Sequence, residues 1–237
     1  MRKFRNNFDL RPLKITKDYM ENALSSCLIE QGKTKVICSV TLEESVPRWL
    51  RGTGKGWITA EYSMLPTATH TRTDRESVKG RLSGRTQEIQ RLIGRSIRNV
   101  CDLQLLGERV LKIDCDVISA DGGTRTASIN GAWVAIKLGI KKLANQRLLK
   151  VDPIKLGVSA ISSGVISGNS LLDLDYLEDS NADADANFVF NSEGGIIEIQ
   201  CTGEKKALTN LQFSDLFKIS KKACQNIFEV QKTIVKE

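Results

Sequence analysis

The stretch Val110-Leu111-Lys112-Ile113-Asp114-Cys115-Asp116-Val117-Ile118, followed by Ser119 and Ala120-Asp121-Gly122-Gly123-Thr124-Arg125-Thr126, decides the architecture. Leu111, Ile113, Cys115 and Val117 alternate with Lys112, Asp114 and Asp116, which is the period of a half-buried strand. Past the glycines the period changes. Ile129, Trp133, Ile136, Ile140 and Leu143 recur every three or four residues and predict a helix. Strand, glycine loop, helix is therefore the central unit. Upstream, Ile89, Leu92, Ile93, Ile97 and Val100 form another helical stripe from Thr86 onward, with Arg91, Arg95 and Arg98 on a different face. Between Arg48 and Gly84 the chain is rich in Arg, Lys, Gly and Thr, which reads as long loops carrying short strands. Before that, Leu28-Ile29-Glu30, a turn at Gln31-Gly32-Lys33 and the run Thr34 to Thr41 predict a hairpin.

Downstream, an apolar strand around Leu156 to Ile166 turns at Ser167-Gly168-Asn169, and Leu172 to Leu177 alternates like a further strand. Asn187 to Phe190 and Ile196 to Gln200 flank a turn at Glu193-Gly194-Gly195. A closing helix is expected through Phe213, Leu216, Ile219, Ala223, Ile227 and Val230. Each half thus offers hairpin strands and then a helix, so the expectation is an α+β fold in one domain, 1–237, with two related halves of approximately 1–145 and 146–237.

The 237 residues are 41% hydrophobic, enough for a real core, and carry a formal net charge of +7. That charge favours a polyanionic partner without naming one. Six cysteines are scattered with no C-x-x-C pair, so reduced, mostly buried thiols are expected. The single histidine, His70, excludes multi-histidine metal centres, leaving chemistry to Arg, Asp and a metal. No apolar run approaches a bilayer span and the first residues lack a secretory pattern, which points to the cytoplasm.

Four features bear on chemistry. Gly122-Gly123 lets the backbone approach an anion, with Thr124, Arg125, Thr126 and Ser128 adding donors at a helix start; a tight capped turn explains the same residues equally. Arg85 stands at another helix entrance, where an ordinary surface arginine also fits. Asp173, Asp175, Glu178, Asp179, Asp183 and Asp185 crowd an otherwise basic chain, as a solvated acidic loop or as a site for a hard divalent cation such as Mg²⁺ or Mn²⁺. Arg72, Arg75, Lys79 and Arg81 form a basic track suited to an RNA backbone, or a solvated loop, with no aromatic stacking partner evident beside them.

Taken together, Gly56 through Tyr62, Met64-Leu65-Pro66 with Thr69-His70-Thr71-Arg72, Gly84-Arg85-Thr86, Glu88 through Ile93, Asp114 through Val117, Ala120 through Ser128 and Asp173 through Asp185 resemble the ribonuclease PH family of phosphorolytic exoribonucleases. The resemblance runs along nearly the whole chain in order. It implies the duplicated βαβ-type ribonuclease PH fold (ribosomal protein S5 domain 2-like) and a homohexamer built as a trimer of dimers. The implied activity trims transfer-RNA precursors from the 3′ end with inorganic phosphate, releases nucleoside diphosphates, and runs in reverse. Matched residue by residue, Arg85, Gly123, Thr124 and Arg125 would bind phosphate, and Asp179 and Asp185 would be the catalytic and metal-associated pair. Arg72, Arg75, Lys79 and Arg81 would grip the tRNA. Two departures stand out: Thr67 where the family often has Arg, and Cys201-Thr202-Gly203-Glu204 where it often has Gly-Thr-Ala-Glu. A silent ring subunit that binds RNA without cleaving it, and a hydrolytic metal nuclease, are the rival readings.

Overall fold

In the computed structural model, residues 2 and 5–236 are described; Met1, Lys3 and Phe4 of the amino-terminal stretch and Glu237 lie outside them. Alternating burial builds the first sheet from β1 (Leu13–Lys17), β2 (Ser25–Gln31), β3 (Thr34–Glu43), β4 (Trp57–Met64) and β5 (Val110–Ser119). Its order is β1-β2-β3-β5-β4. Only β4 and β5 run parallel, with Trp57 opposite Val110 and Met64 opposite Val117. Their crossover is α1 (Gly84–Asn99), which packs on β4 to complete a βαβ unit. The helix begins where Ser83 caps it, its side chain accepting the Thr86 N–H.

The region 48–84 is therefore less irregular than its composition suggests. It holds the eight-residue β4 at the sheet edge, where alternate side chains (Thr59, Glu61, Ser63) face away from the core and mask the strand period. A second difference concerns Leu172 to Leu177. The strand β7 (Asn169–Leu172) stops there, Asp173 takes a left-handed φ of +56°, and Asp175 starts α4 (Tyr176–Asn181). Asp175 and Glu178 form a capping box, a stronger local instruction than the hydrophobic alternation that suggested a strand.

The second sheet, β7-β6-β8-β9, is antiparallel throughout and adds β6 (Val158–Ile166), β8 (Ala184–Asn191) and β9 (Ile196–Gly203). Between the sheets lies α3 (Thr124–Asn145), touching β2 and β3 on one side and β6 on the other. That placement explains why nearly all its residues are apolar or small. The short α2 (Leu103–Leu106) precedes β5, and α5 (Asn210–Lys236) closes the chain against β6. On α5 the buried stripe is Leu216, Ser220, Ala223, Cys224, Ile227 and Gln231; Phe213 and Val230 sit at its exposed margin.

All six cysteines are free; Cys27, Cys38, Cys115 and Cys224 are buried, while Cys201 is exposed. Three of the buried sulfurs lie under α3, where Cys27 Sγ donates to the Gly131 carbonyl at 3.3 Å and Cys115 Sγ lies 3.7 Å from Cys38 Sγ. A Cβ added at Gly131 would lie 2.5 Å from Cys38 Sγ and 3.0 Å from Ile29 Cγ2. Gly131→Ala should therefore destabilise the protein by about 1–3 kcal/mol through overpacking, read as a lower midpoint in urea unfolding.

Candidate active site

Two helix starts and the beginning of the second sheet meet at one place. Gly122 and Gly123 both take left-handed φ (+73° and +65°), and Gly123 is the N-cap of α3. Glycine is required at Gly122 on two grounds, because a Cβ there would also lie 2.7 Å from the Asp175 carbonyl carbon and run into the Leu174 oxygen. The bend leaves the free N–H groups of α3's first turn, at the positive end of a 22-residue helix, facing the site. Thr124 and Arg125 are the first two residues of that turn. Arg85 is the second residue of α1.

Tyr62, on β4 and buried, donates its phenol to Thr124 Oγ1 at 2.9 Å. Burial raises the Tyr62 phenol above its usual range, while the Thr124 contact and the charges of Arg85 and Arg125 pull the other way. Both arginines therefore lie within electrostatic reach of one buried hydroxyl. The Arg125 guanidinium donates to Gln200 Oε1 and lies 3.5 Å from Glu88, and Gln200 donates on to Glu88 at 2.6 Å. This network joins α1, α3 and β9.

Asp179 sits on α4, reached by solvent but crowded by protein, and Asp185 is half-buried near the start of β8. Asp179 thus follows the Leu172 to Leu177 stretch on a helix and not on a strand, yet the two carboxylates do interact. Crowding raises the Asp179 carboxyl above the ordinary range, with Arg85 and Arg125 opposing and Glu204 reinforcing the rise. Burial raises Asp185 as well, followed by the charges of Asp179 and Glu204, against Arg125. Among the described residues neither aspartate nor Arg85 forms an ion pair. Two uncompensated carboxylates are a hard-oxygen donor set that suits Mg²⁺ or Mn²⁺ retaining several waters. Among the described residues no group of three or more His, Cys, Asp or Glu gathers into a cage.

The basic track lies apart from this centre and shares Arg85 and Tyr62 with it through one cleft. Arg75, Lys79 and Arg81 line a cleft of about 1450 Å³, together with Arg85 and Tyr62 and with the acidic Glu61, Asp114 and Asp116. Arg72 and Lys79 contact Asp74 at 3.3 and 3.7 Å in open solvent, pairs worth little. The loop is anchored at Glu76, which accepts from Ser83 N at 3.3 Å and Thr86 Oγ1 at 2.8 Å. An aromatic neighbour does exist here: His70 packs on Tyr176 of α4, ring centroids 5.2 Å apart. Sequence spacing hid that pair, because 106 positions separate its members.

Models of the 3′ exoribonuclease family match residues 9–139 as its domain 1 and residues 158–223 as its domain 2. The chain belongs to the ribonuclease PH family. The proteins named ribonuclease PH from Caulobacter vibrioides and Maricaulis maris are each 53% identical, over 95% and 96% of this chain and 95% of theirs. Rice Rrp46 superposes with a TM-score of 0.80 at 19% identity, covering 98% of both chains. A chain of the Archaeoglobus fulgidus exosome with RNA bound to the active site gives 0.81 at 20%, covering 95% of this chain and 90% of that one. These two likenesses establish the α+β fold. Family membership makes the chain an enzyme, a phosphorolytic 3′ exoribonuclease with phosphate as co-substrate and RNA as substrate. The ribonuclease PH resemblance read from the motifs thus holds over the length of the chain.

Neither Arg11 nor Tyr62 stood out as part of this site in the sequence. Asp173 did, but only as one member of an acidic cluster. It is fully buried and paired to Arg11 at 2.7 Å, so it is a structural anion and no part of an open acidic site. For Asp185, a native carboxyl raised above its unfolded value means that ionisation costs stability wherever the group is charged. Asp185→Asn should therefore raise the melting temperature at pH 7 without divalent cations. The gain should shrink as pH falls through the raised value and vanish below about 3.9, where both states are protonated. Calorimetry across pH checks both parts.

Proposed function

We propose that this chain trims the 3′ ends of transfer-RNA precursors and other RNAs, with Arg85, Gly123, Thr124 and Arg125 holding the attacking phosphate and Asp179 and Asp185 serving catalysis. The observation that carries this reading is the convergence of Arg85 and Arg125, from two different helices, on the glycine turn that opens α3, with two unpaired carboxylates beside them.

Phosphate fits the donors. The first-turn N–H groups of α3 and two guanidinium forks are donors of the kind its oxygens accept. Because Tyr62 donates to Thr124 Oγ1, the Thr124 proton is free to be donated onward to an anion. Held there, phosphate attacks the phosphorus of the terminal phosphodiester. The bond from phosphorus to the upstream 3′ oxygen breaks, that oxygen takes up the proton the attacking hydrogen phosphate gives up and becomes the 3′ hydroxyl of the shortened RNA, and the last nucleotide leaves as a nucleoside diphosphate. The arginines balance charge on the phosphoryl oxygens throughout, so the protein contributes positioning and electrostatic stabilisation. A divalent cation held by Asp179 and Asp185 would offset charge on the phosphoryl and leaving oxygens. One phosphoester linkage is exchanged for a diphosphate, and excess nucleoside diphosphate drives the reverse extension.

Arg72, Arg75, Lys79 and Arg81 contact the RNA backbone, the last three of them from the cleft that Arg85 also lines. Their grip is salt-sensitive and indifferent to sequence. Thr67, in place of an arginine, removes one charge from that track. The enzyme acts in the cytoplasm; no helix among the described residues is long and apolar enough to cross a membrane. The chain is a single domain of two related halves and assembles as a homohexamer. Self-association is supported by the outer edge of β4, which has no neighbouring strand among the described residues, and by Trp49 beside it, 63% exposed and edge-on to Trp57.

The deciding experiment incubates the protein with divalent metal and a tRNA carrying an extra 3′ tail, with and without inorganic phosphate, and identifies the released nucleotides. Diphosphates should form only with phosphate. Monophosphates without phosphate would establish hydrolysis, and RNA binding without release would establish a silent subunit. Arg85→Ala should raise the KM for phosphate at least about tenfold, the loss of one charge-assisted contact. Asp185→Asn should lower kcat by about 100-fold with RNA affinity retained.

A further inference from the structure

We propose that Arg11 is a positioning residue whose buried ion pair with Asp173 holds the Gly122-Gly123 loop in fixed register with α4 and its Asp179. The inference rests on the reading of that loop as the phosphate site and of Asp179 as catalytic.

Arg11 grips Asp173 twice. Its backbone N–H donates to Oδ2 at 2.7 Å and its Nη2 donates to Oδ1 at 2.7 Å. The rest of the fork faces the glycine loop: Nη1 donates to the Asp121 carbonyl, Nη2 lies 3.4 Å from the Gly122 carbonyl, and a Cβ at Gly123 would stand 3.1 Å from Nη2. One guanidinium thus spans the loop of the first half and an anion of the second. Asp173 in turn fixes the start of α4. It is wholly buried, its N–H donates to the Ser162 carbonyl at 2.7 Å, and its left-handed backbone sends Leu174 and Asp175 directly against Gly122. Asp121 Oδ1 accepts the Tyr176 N–H at 3.3 Å across the same seam.

Two further arginines extend the strap. Arg2 contacts Glu178 at 2.6 Å and Arg5 contacts it at 3.0 Å, while Arg5 also donates to the Asp173 carbonyl at 2.8 Å. Glu178 is the neighbour of Asp179 and closes the capping box of α4. The segment before β1 therefore fastens both walls of the site while touching neither reacting group.

Stability alone is a poor reason for this arrangement. A buried ion pair gains little over an apolar replacement, Arg11 Nε is buried without a partner, and Asp173 holds a φ that few non-glycine residues adopt. What the fork does provide is geometry, because its planar donors reach an anion and two carbonyls at once. A lysine ammonium can satisfy Asp173 but cannot bridge to the loop.

The test compares full-length wild type, Arg11→Lys and Arg11→Met in phosphate-dependent diphosphate release, with RNA affinity measured without phosphate and folding followed by circular dichroism. Arg11→Lys should remain folded and bind RNA within about twofold. Its KM for phosphate should rise and its kcat fall, for a combined loss of about 10- to 100-fold, the scale of a small misplacement of reacting groups. Arg11→Met should lose more. A folded Arg11→Lys with wild-type KM and kcat overturns the proposal, as does a loss confined to RNA affinity. If Arg11→Lys does not fold, Thr34→Val decides: it frees the same loop from β3, where Thr34 Oγ1 donates to the Gly122 carbonyl at 2.6 Å and accepts the Asp121 N–H at 2.9 Å. A raised phosphate KM that Thr34→Ser restores supports a loop that must be held in place, and an unchanged KM overturns it. Absence of diphosphate release from the wild type would instead refute the underlying functional reading.

Discussion

Because α3 packs against β2 and β3 on one side and β6 on the other, its N-terminus has one place to be. The helix is apolar nearly all round, and Asn130 ties it to β6 by exchanging two hydrogen bonds with Ala160, at 2.8 and 2.9 Å. Such a helix can neither slide nor rotate without opening two cores. The glycine turn at its head is consequently fixed with respect to both sheets. Everything that completes the site is placed by its relation to that point: Arg85 by α1, Tyr62 by β4, Asp179 by the seam at Gly122, and Asp185 by β8.

Charge is distributed unevenly around the turn. Arg11 is committed to Asp173, and Arg125 shares Glu88 with Gln200. Arg85, Asp179 and Asp185 have no ion-pair partner among the described residues. Arg11 is spent on the frame, Arg125 is oriented by its partners beside the glycine turn, and the uncommitted charges are left for a phosphate and an RNA end that would bring their own. That division follows from burial. A wholly buried carboxylate such as Asp173 needs a partner at all times, whereas a partly solvated one can wait for a cation.

Much of the fold was legible because its signals are local. The β2–β3 hairpin, the α1 stripe, the alternation in β5, the change of period at Gly122 and the glycine turn before β9 each need only neighbouring residues. The errors came where two local signals competed or none was present. Asp175 to Glu178 carries both an alternation and a capping box, and the cap won. The strand β4 hid among polar residues because one of its faces looks into the cleft. Of the candidate site, the proposed residues are those that motifs carry, and the contacts defined by folding alone were missed. Arg11 and Asp173 stand 162 positions apart, as the Tyr62–Thr124 contact joins residues 62 apart. Pattern along a chain contains no term for such pairs.

The distribution of sulfur has a chemical consequence. Cys38 is held well above the ordinary thiol range by its contacts with Cys115 and Cys27 and by burial, and burial pushes Cys101 and Cys224 up to about 12. These groups stay protonated and are largely shielded by protein, with Cys101 only partly covered. Cys201 alone is exposed, on β9 opposite Ala186 and one residue along from Gln200. In the native state a thiol reagent therefore meets one sulfur first, on the face of β9 opposite to that of the Gln200 side chain. The protein thus carries its own single accessible attachment point for a reporter dye.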